Sequence, residues 1–299
     1  MIKLIFIFFT CWIAFPAISA NFINEKIGDT VYSINITGNI NSGDAINFQN
    51  KISELKKEFE SSEMKKKYKD WKFYLDVNLN SKGGNLTEAM KIGYIVRANE
   101  STTWVPINAE CLSSCVFILA AGVNRNVIGK VGIHRPYFEA LNSNATTLDI
   151  KKMRDENKKL MKEYFANMDV SDSIIEEMMS VEPNKIKILS EDELTKFRLS
   201  VMDADHEEKM IAEEAQRYNL TSSVYRQRNA ITEKKCGYSF TASRENRLPE
   251  FWKCQNMTML NITESEYINR EAKAKSTCFK MEQGPNRGRC LFDVRILGK

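Results

Sequence analysis

The chain is poor in histidine and, beyond its first residues, in long apolar runs. It has two histidines among 299 residues, His134 and His206, so few side chains can act as a base near neutral pH. No stretch after the N-terminal segment is apolar over the roughly 20 residues that a membrane-spanning helix needs. Internal repeats, low-complexity tracts and glycine-serine linkers are also missing. These absences exclude a repeat protein and favour a compact globular chain.

The charge pattern gives no sign of a polyanionic partner. The net charge of +4 is modest, and lysines are interspersed with acidic residues, as between residues 51 and 69. Such mixed charge is typical of a solvated helix face. The glycines and lysines also lack the spacing of a phosphate-binding loop. We therefore expect no nucleic-acid partner and no cofactor.

The first twenty residues have the pattern of an export signal. Lys3 precedes an apolar run from Leu4 to Pro16, and small residues follow up to Ala20. The run is too short to span a bilayer, so removal after Ala20 is favoured over a retained anchor. We expect a signal peptide over residues 1–20, and a periplasmic or secreted mature chain without a stable membrane anchor.

The cysteines agree with export. Removal of the signal takes Cys11 and leaves an even set, which fits three disulfides in an oxidising compartment. That set is Cys111, Cys115, Cys236, Cys254, Cys278 and Cys290. Six cysteines allow fifteen pairings. Proximity along the chain favours disulfides between Cys236 and Cys254 and between Cys278 and Cys290. A disulfide between 111 and 115 is within bridging range at a helix start. Metal binding is disfavoured, because this last pair and one nearby histidine do not complete a four-ligand set.

Strand and helix patterns alternate over the first two thirds of the chain. Apolar and polar residues alternate at 31–36, before a predicted turn at 37–39, and a second strand is predicted at 72–79. Apolar residues at helical spacing predict helices at 44–59, 86–99 and 147–168. Ser190, followed three residues later by Glu193, predicts a capped short helix. This order predicts a parallel α/β fold.

The α/β pattern stops near Asp205. Four of the cysteines lie beyond it within fifty-five residues, in a segment of little clear periodicity. Together with the aromatic residues between them, they predict a small disulfide-stapled module with a modest core. We therefore expect an α/β domain over residues 21–205 and a cysteine-containing C-terminal region over residues 206–299.

Ser113 lies at the predicted junction of a strand, residues 102–107, and an apolar helix, residues 116–122. Backbone amides at a helix N-terminus can hold a developing oxyanion. His134 follows 21 residues later, at the end of a short apolar run, and Gly83-Gly84 forms a predicted turn upstream. Each feature also has a structural explanation, since serine caps helices and paired glycines make turns. Ser114 is the competing nucleophile.

Four segments resemble, in order and spacing, the Clp protease proteolytic subunit and its relatives in the ClpP/crotonase superfamily. They are residues 80–84 (Asn-Ser-Lys-Gly-Gly), residues 111–122, residues 133–136 (Ile-His-Arg-Pro), and residues 188–190 with the helix that follows. The resemblance covers roughly residues 30–205 and is strongest to exported members whose serine lies between two cysteines. It implies a β/α superhelical spiral.

The resemblance also implies a serine endopeptidase that cleaves peptides or proteins without a cofactor. Ser113 would be the nucleophile and His134 the general base. Amides of Gly83 or Gly84, and of Ser114, would form the oxyanion hole. The long helix after the histidine corresponds to an arm that the family uses for ring assembly. The resemblance therefore allows a homo-oligomer.

The sequence departs from the family where its third triad member, an aspartate, is expected. Ile186 aligns there, and Asn184, Glu182 or Asp192 could replace it only after a register shift. Lys82 stands where the family has proline. A second catalytic arrangement is therefore a Ser/Lys pair in which Lys82 is the base. Loss of the orienting acid can cost several orders of magnitude in rate. The alternative is therefore a catalytically weak or inactive binding or scaffold protein. Acyl-thioester chemistry with coenzyme A, a third hypothesis, is disfavoured by export.

Overall fold

The computed structural model describes residues 20–136, 146–236, 244–282 and 284–299. These residues form a mixed α/β protein, and all but Ala20 of the predicted signal peptide lies outside them. Two compact units are present: one ends at Asp203, and the other runs from Ala204 to Lys299. No helix within the described ranges combines the length and the apolar character that crossing a bilayer requires.

The first unit contains eight strands and seven helices within the described ranges. The strands are β1 (Asn21–Lys26), β2 (Val31–Ile40), β3 (Tyr74–Gly84), β4 (Thr102–Val105), β5 (Glu110–Leu112), β6 (Asn124–Val127), β7 (Lys130–Ile133) and β8 (Lys187–Ile188). The helices are α1 (Asp44–Ser61), α2 (Glu63–Lys67), α3 (Leu86–Ala98), α4 (Cys115–Ala120), α5 (Thr147–Asn167), α6 (Ser173–Ser180) and α7 (Glu191–Lys196).

The sheet forks at β3. The first half of β3 pairs with β4, which pairs in turn with β6, whereas Ser81 near its end pairs with Cys111 of β5. The second branch continues from β5 to β7 and then β8. The inner pairs are parallel, as predicted, and only β1 and β8 run antiparallel to their neighbours. The carboxyl ends of β3, β5 and β7 therefore lie side by side.

The predicted turn at residues 37–39 is wrong. β2 continues through these residues to Ile40, and its register against β3 shifts between Thr37 and Asn39. Gly38 has a φ of +85°, which a bulge accommodates more easily than a regular ladder does. The glycine therefore marks an irregularity inside a strand, and the strand pairs with the last residues of β3.

The core lies between the sheet and helices whose apolar residues share one face. In α1 these buried residues are Ala45, Phe48, Ile52, Leu55 and Phe59, spaced as the sequence predicted. Every residue of α4 is buried, so this short helix runs through the middle of the unit. α7 begins with the predicted capping box between Ser190 and Glu193.

A buried tyrosine ties α5 to α4. The Tyr164 hydroxyl donates a hydrogen bond of 2.6 Å to the carbonyl oxygen of Phe117. A Cβ at position 93 would lie 1.8 Å from that hydroxyl, so only the glycine present leaves room for it. Burial raises the pKa of Tyr164, which keeps the phenol protonated as a donor.

The second unit is helical throughout its described part. It contains α8 (Ala204–Arg217), α9 (Ser222–Cys236), α10 (Arg244–Leu260), α11 (Glu264–Thr277) and α12 (Pro285–Leu291), with a 3-10 turn at Cys278–Lys280 and a π turn at Phe292–Ile296. Its weak apolar periodicity follows from a small core, centred on Ala274, Cys278 and Val294. Most helix faces in this unit are solvated, so the sequence pattern gave little signal.

All three predicted disulfides are present. They join Cys111 to Cys115, Cys236 to Cys254 and Cys278 to Cys290, with Cα separations of 5.3, 5.7 and 5.6 Å. One staples the predicted site region, and the other two hold α9 to α10 and the 3-10 turn to α12. Such bridges are compatible with a protein that folds in an oxidising compartment.

Candidate active site

Ser113 occupies a tight turn between β5 and α4. Its φ is +56°, in the left-handed region that few residues other than glycine adopt. Its amide donates a 2.9 Å hydrogen bond to the carbonyl oxygen of Gly132 in β7. The side chain is only partly buried. A strained turn of this kind persists because its surroundings fix it, and strained turns cluster at functional sites.

The disulfide between Cys111 and Cys115 closes this turn. Both cysteines are fully buried, one in the middle of β5 and the other at the start of α4. The bridge therefore fixes the two elements that flank Ser113. A cross-link over so short a segment restricts the conformations open to the residues inside it.

Ser114 differs from Ser113 in its access to solvent. It is 4% exposed, and its Oγ has no hydrogen-bond partner among the described residues. It takes the N-cap position of α4 but makes no side-chain cap. A buried hydroxyl cannot reach a substrate carbonyl, so the geometry favours Ser113 as the nucleophile.

The glycine pair ends β3 and packs directly on the serine turn. Gly83 and Gly84 were predicted to form a turn, but they continue the pairing with β2. A Cβ on Gly83, whose φ is +91°, would lie 2.8 Å from Cβ of Ser113 and 2.9 Å from the amide nitrogen of Ser114. Glycine is thus required for the close approach of the two chain segments. The approach brings the Ser114 amide beside the end of β3.

The amide of Gly83 already donates a 3.1 Å hydrogen bond to the hydroxyl of Ser81. That hydroxyl in turn donates to the carbonyl oxygen of Gly38 at 2.6 Å. The Gly83 amide, one of the predicted oxyanion donors, is therefore already used in a hydrogen bond. An oxyanion would have to share that amide with Ser81 or displace the Ser81 hydroxyl. In the described part of the chain, the Ser114 amide has no such acceptor.

His134 follows the end of β7, beside the turn that carries Ser113. The register pairs Leu112 with Gly132, so β5 ends at the serine turn while β7 continues by one more residue, Ile133, before His134. Adjacent strands lie about 4.8 Å apart. The Nδ1 atom of His134 lies 2.8 Å from the carbonyl oxygen of Arg135. A carbonyl can only accept, so Nδ1 carries the proton and Nε2 is left as the base.

Ile186 directly precedes β8. β8 pairs Ile188 with Gly132 and Lys187 with Ile133, and continuing this register by one residue would set Ile186 opposite His134. A Cβ on Gly132 would lie 2.6 Å from Cγ2 of Ile186, so the isoleucine is on the face that Gly132 shares with His134. The position aligned with the family's aspartate therefore holds an apolar side chain.

The other third-member candidates are exposed and lie elsewhere. Glu182 pairs with Lys185 at 3.1 Å, Asn184 is in the loop before β8, and Asp192 is in the first turn of α7. No hydrogen bond joins any of the three to His134 within the described residues. The carbonyl of Arg135 is the group that orients the imidazole. Sequence analysis did not identify it, because a backbone group leaves no residue-type signal.

Lys82 is placed away from these contacts. Side chains alternate along a strand, so Lys82 points opposite to Gly83, which faces Ser113. This placement disfavours lysine as the base. His206 lies in α8 of the second unit.

No family model and no curated protein matches the sequence. Among solved structures, a mutant of the 1510-N membrane-bound stomatin-specific protease is similar to this chain over 60% of this chain and 81% of its own. The two are 16% identical, with a TM-score of 0.42. The roles of Ser113 and His134 are accordingly argued from geometry.

Proposed function

We propose that this chain is an exported Clp-like serine peptidase, with a ClpP/crotonase-like β/α spiral over residues 21–205 and a disulfide-containing module after it. The observation that carries the proposal is the left-handed turn at Ser113, held between Gly83 and the strand that directly precedes His134. Export is supported by the N-terminal pattern and by the three disulfides.

In this mechanism Nε2 of His134 removes the hydroxyl proton of Ser113 as Oγ attacks the peptide carbonyl carbon. The resulting oxyanion accepts hydrogen bonds from the Ser114 amide and from the glycine pair. His134 then gives the proton to the leaving amine, and water repeats the sequence to release the acyl group. The Arg135 carbonyl holds the imidazole tautomer that the first step requires.

The proposed substrate is a peptide or protein, taken without a metal or organic cofactor. Nucleic acid is not a proposed partner, since the charges of the chain are mixed. A homo-oligomer assembled through α5 is the corresponding proposal for quaternary structure, and light scattering on the mature chain tests it.

A fluorophosphonate probe tests the catalytic proposal. The oxidised chain of residues 21–299 is treated with the probe, and the modified residue is mapped by mass spectrometry. We expect labelling at Ser113 that is lost in Ser113→Ala and His134→Ala. Labelling should persist in Ser114→Ala, Lys82→Ala and His206→Ala, which serve as matched controls.

The second candidate function is a binding or scaffold protein that keeps the fold without efficient chemistry. The apolar Ile186 opposite His134 favours it, because a neutral carbonyl stabilises an imidazolium less than a carboxylate does. An absence of labelling in well-folded protein would establish this candidate over the peptidase. Labelling that depends on both Ser113 and His134 would exclude it.

A further inference from the structure

The second unit contains a cavity of about 700 Å³. It lies between α8, α10, α11 and the π turn near the C-terminus, entirely within that unit. Ligand sites in proteins span about 300–1,000 Å³ and combine apolar walls with a few placed polar groups. All of its lining residues belong to the second unit, so it shares none with the serine site.

Aromatic rings form part of the cavity wall. Trp252 is 51% exposed, and Tyr218 and Tyr267 line the same space. Asn256 lies among them and accepts a 3.4 Å hydrogen bond from the hydroxyl of Tyr218. The wall thus offers ring faces beside amide groups, so it suits a ligand that has both an apolar face and a polar edge.

The charged side chains of the wall are neutralised by one another or by a neighbour. Each arginine that lines the cavity has an acidic partner: Arg217 with Glu214, Arg270 with Glu266, and Arg295 with Glu271. An anionic ligand would have to compete with these carboxylates. The cavity therefore favours a ligand without net charge.

Two polar atoms of the wall residues are buried and unpartnered. The carbonyl oxygen Oε1 of Gln255 receives no hydrogen bond from the described residues, and Nε of Arg295 donates none to them. A buried polar group without a partner destabilises the fold. One atom needs a donor and the other an acceptor, and a hydroxyl group can serve as either. Gln255 lines the cavity, and rotation of its terminal amide would bring this buried oxygen to a ligand.

From these features we infer that the cavity binds a neutral saccharide. A pyranose ring presents C–H bonds on its face, which stack on aromatic rings. Its edge carries hydroxyls that both donate and accept. That chemistry fits the exposed ring of Trp252, the amides of Gln255 and Asn256, and the paired charges of the wall. The C-terminal unit is thus a carbohydrate-binding module.

The test uses the full oxidised chain of residues 21–299. Neutral tetrasaccharides of glucose, xylose, mannose and N-acetylglucosamine are screened by saturation-transfer NMR, and binding is quantified by calorimetry. We expect at least one to bind with a millimolar or lower Kd. Trp252→Ala should weaken that binding at least tenfold. Tyr74→Ala, which removes an equally exposed aromatic from the first unit, should leave it unchanged.

Gln255→Leu separates binding from folding. It removes a buried oxygen that has no partner, so the thermal midpoint should stay the same or rise while binding falls at least tenfold. The inference is overturned if no saccharide binds at millimolar concentration, or if Trp252→Ala binds as tightly as Tyr74→Ala. Binding of neutral tetrapeptides in place of saccharides would also overturn it and identify a peptide site.

Discussion

Nδ1 of His134 lies 2.8 Å from the carbonyl oxygen of the next residue, Arg135. The imidazole is therefore oriented by the backbone, and continuing the pairing of β7 and β8 by one residue would set Ile186 opposite it. A carbonyl fixes the tautomer but carries no charge to balance an imidazolium. The proposed serine–histidine pair thus lacks the electrostatic help of an acid, and no hydrogen bond joins Ser113 to His134 within the described residues.

Ile186→Asp should supply that missing charge. The side chain is 43% exposed, so a carboxylate there remains solvated and the fold should be kept. We expect the rate of fluorophosphonate labelling at Ser113 to rise about tenfold or more. Ile188→Asp is the matched control, because Ile188 is 47% exposed and two residues away on the same face. Equal rates in the two variants would show that the position opposite His134 has no special role.

Gly83→Ala should disrupt the serine turn. The new methyl group would lie 2.6 Å from the carbonyl oxygen of Leu112, at a φ of +91° that alanine rarely adopts. We expect a loss of about 2 kcal/mol or more in the free energy of unfolding, together with loss of labelling. Gly28→Ala, at a position with open space around it, should change stability by less than about 0.5 kcal/mol. Urea denaturation compares the two, and similar losses would refute the close approach.

Ser113→Gly should be more stable than Ser113→Ala by about 1 kcal/mol, because glycine adopts a φ of +56° without strain. Both variants lack the nucleophile, so the comparison isolates the backbone. At Ser53, an exposed position inside α1, the alanine variant should be more stable than the glycine variant, since alanine is favoured over glycine in helices by about 1 kcal/mol. Chemical denaturation of the four variants measures both differences. The same order at both sites would contradict the left-handed turn.

The three disulfides should be reduced in a fixed order. Cys236 and Cys254 are both partly exposed, Cys278 is buried beside a partly exposed partner, and the bridge at Ser113 joins two fully buried cysteines. A reductant must reach a sulfur atom, so the Cys236–Cys254 bridge should open first and the bridge at Ser113 last. Timed reduction followed by alkylation and mass spectrometry gives the order. Early reduction of the bridge at Ser113 in folded protein would show that this turn opens locally.

Much of the first unit could be predicted from the sequence, because its helices and strands bury one face each. The apolar spacing in α1 and the capping box at Ser190 are local signals, and both predicted the structure. Gly38 and the glycine pair were misassigned to turns. A positive φ is common to turns and to bulged strand ends, so residue type alone does not separate them.

The candidate site could be predicted in part. Ser113, the glycine pair and His134 were named from motif order, and the structure places the serine turn against Gly83 and beside the end of β7. The carbonyl of Arg135 and the burial of Ser114 could not be predicted. Each depends on how separate segments pack, and neither leaves a mark in residue type.

The fork at β3 gives the two branches of the sheet different connections to the serine turn. Only the branch through β5 and β7 carries the register that brings the serine turn beside His134. The other branch reaches the turn by packing, because the Thr103 hydroxyl in β4 donates a 2.8 Å hydrogen bond to the carbonyl oxygen of Leu119 in α4, the helix that follows Ser113. One arm of the sheet therefore constrains the serine turn through strand register and the other through its contact with the helix.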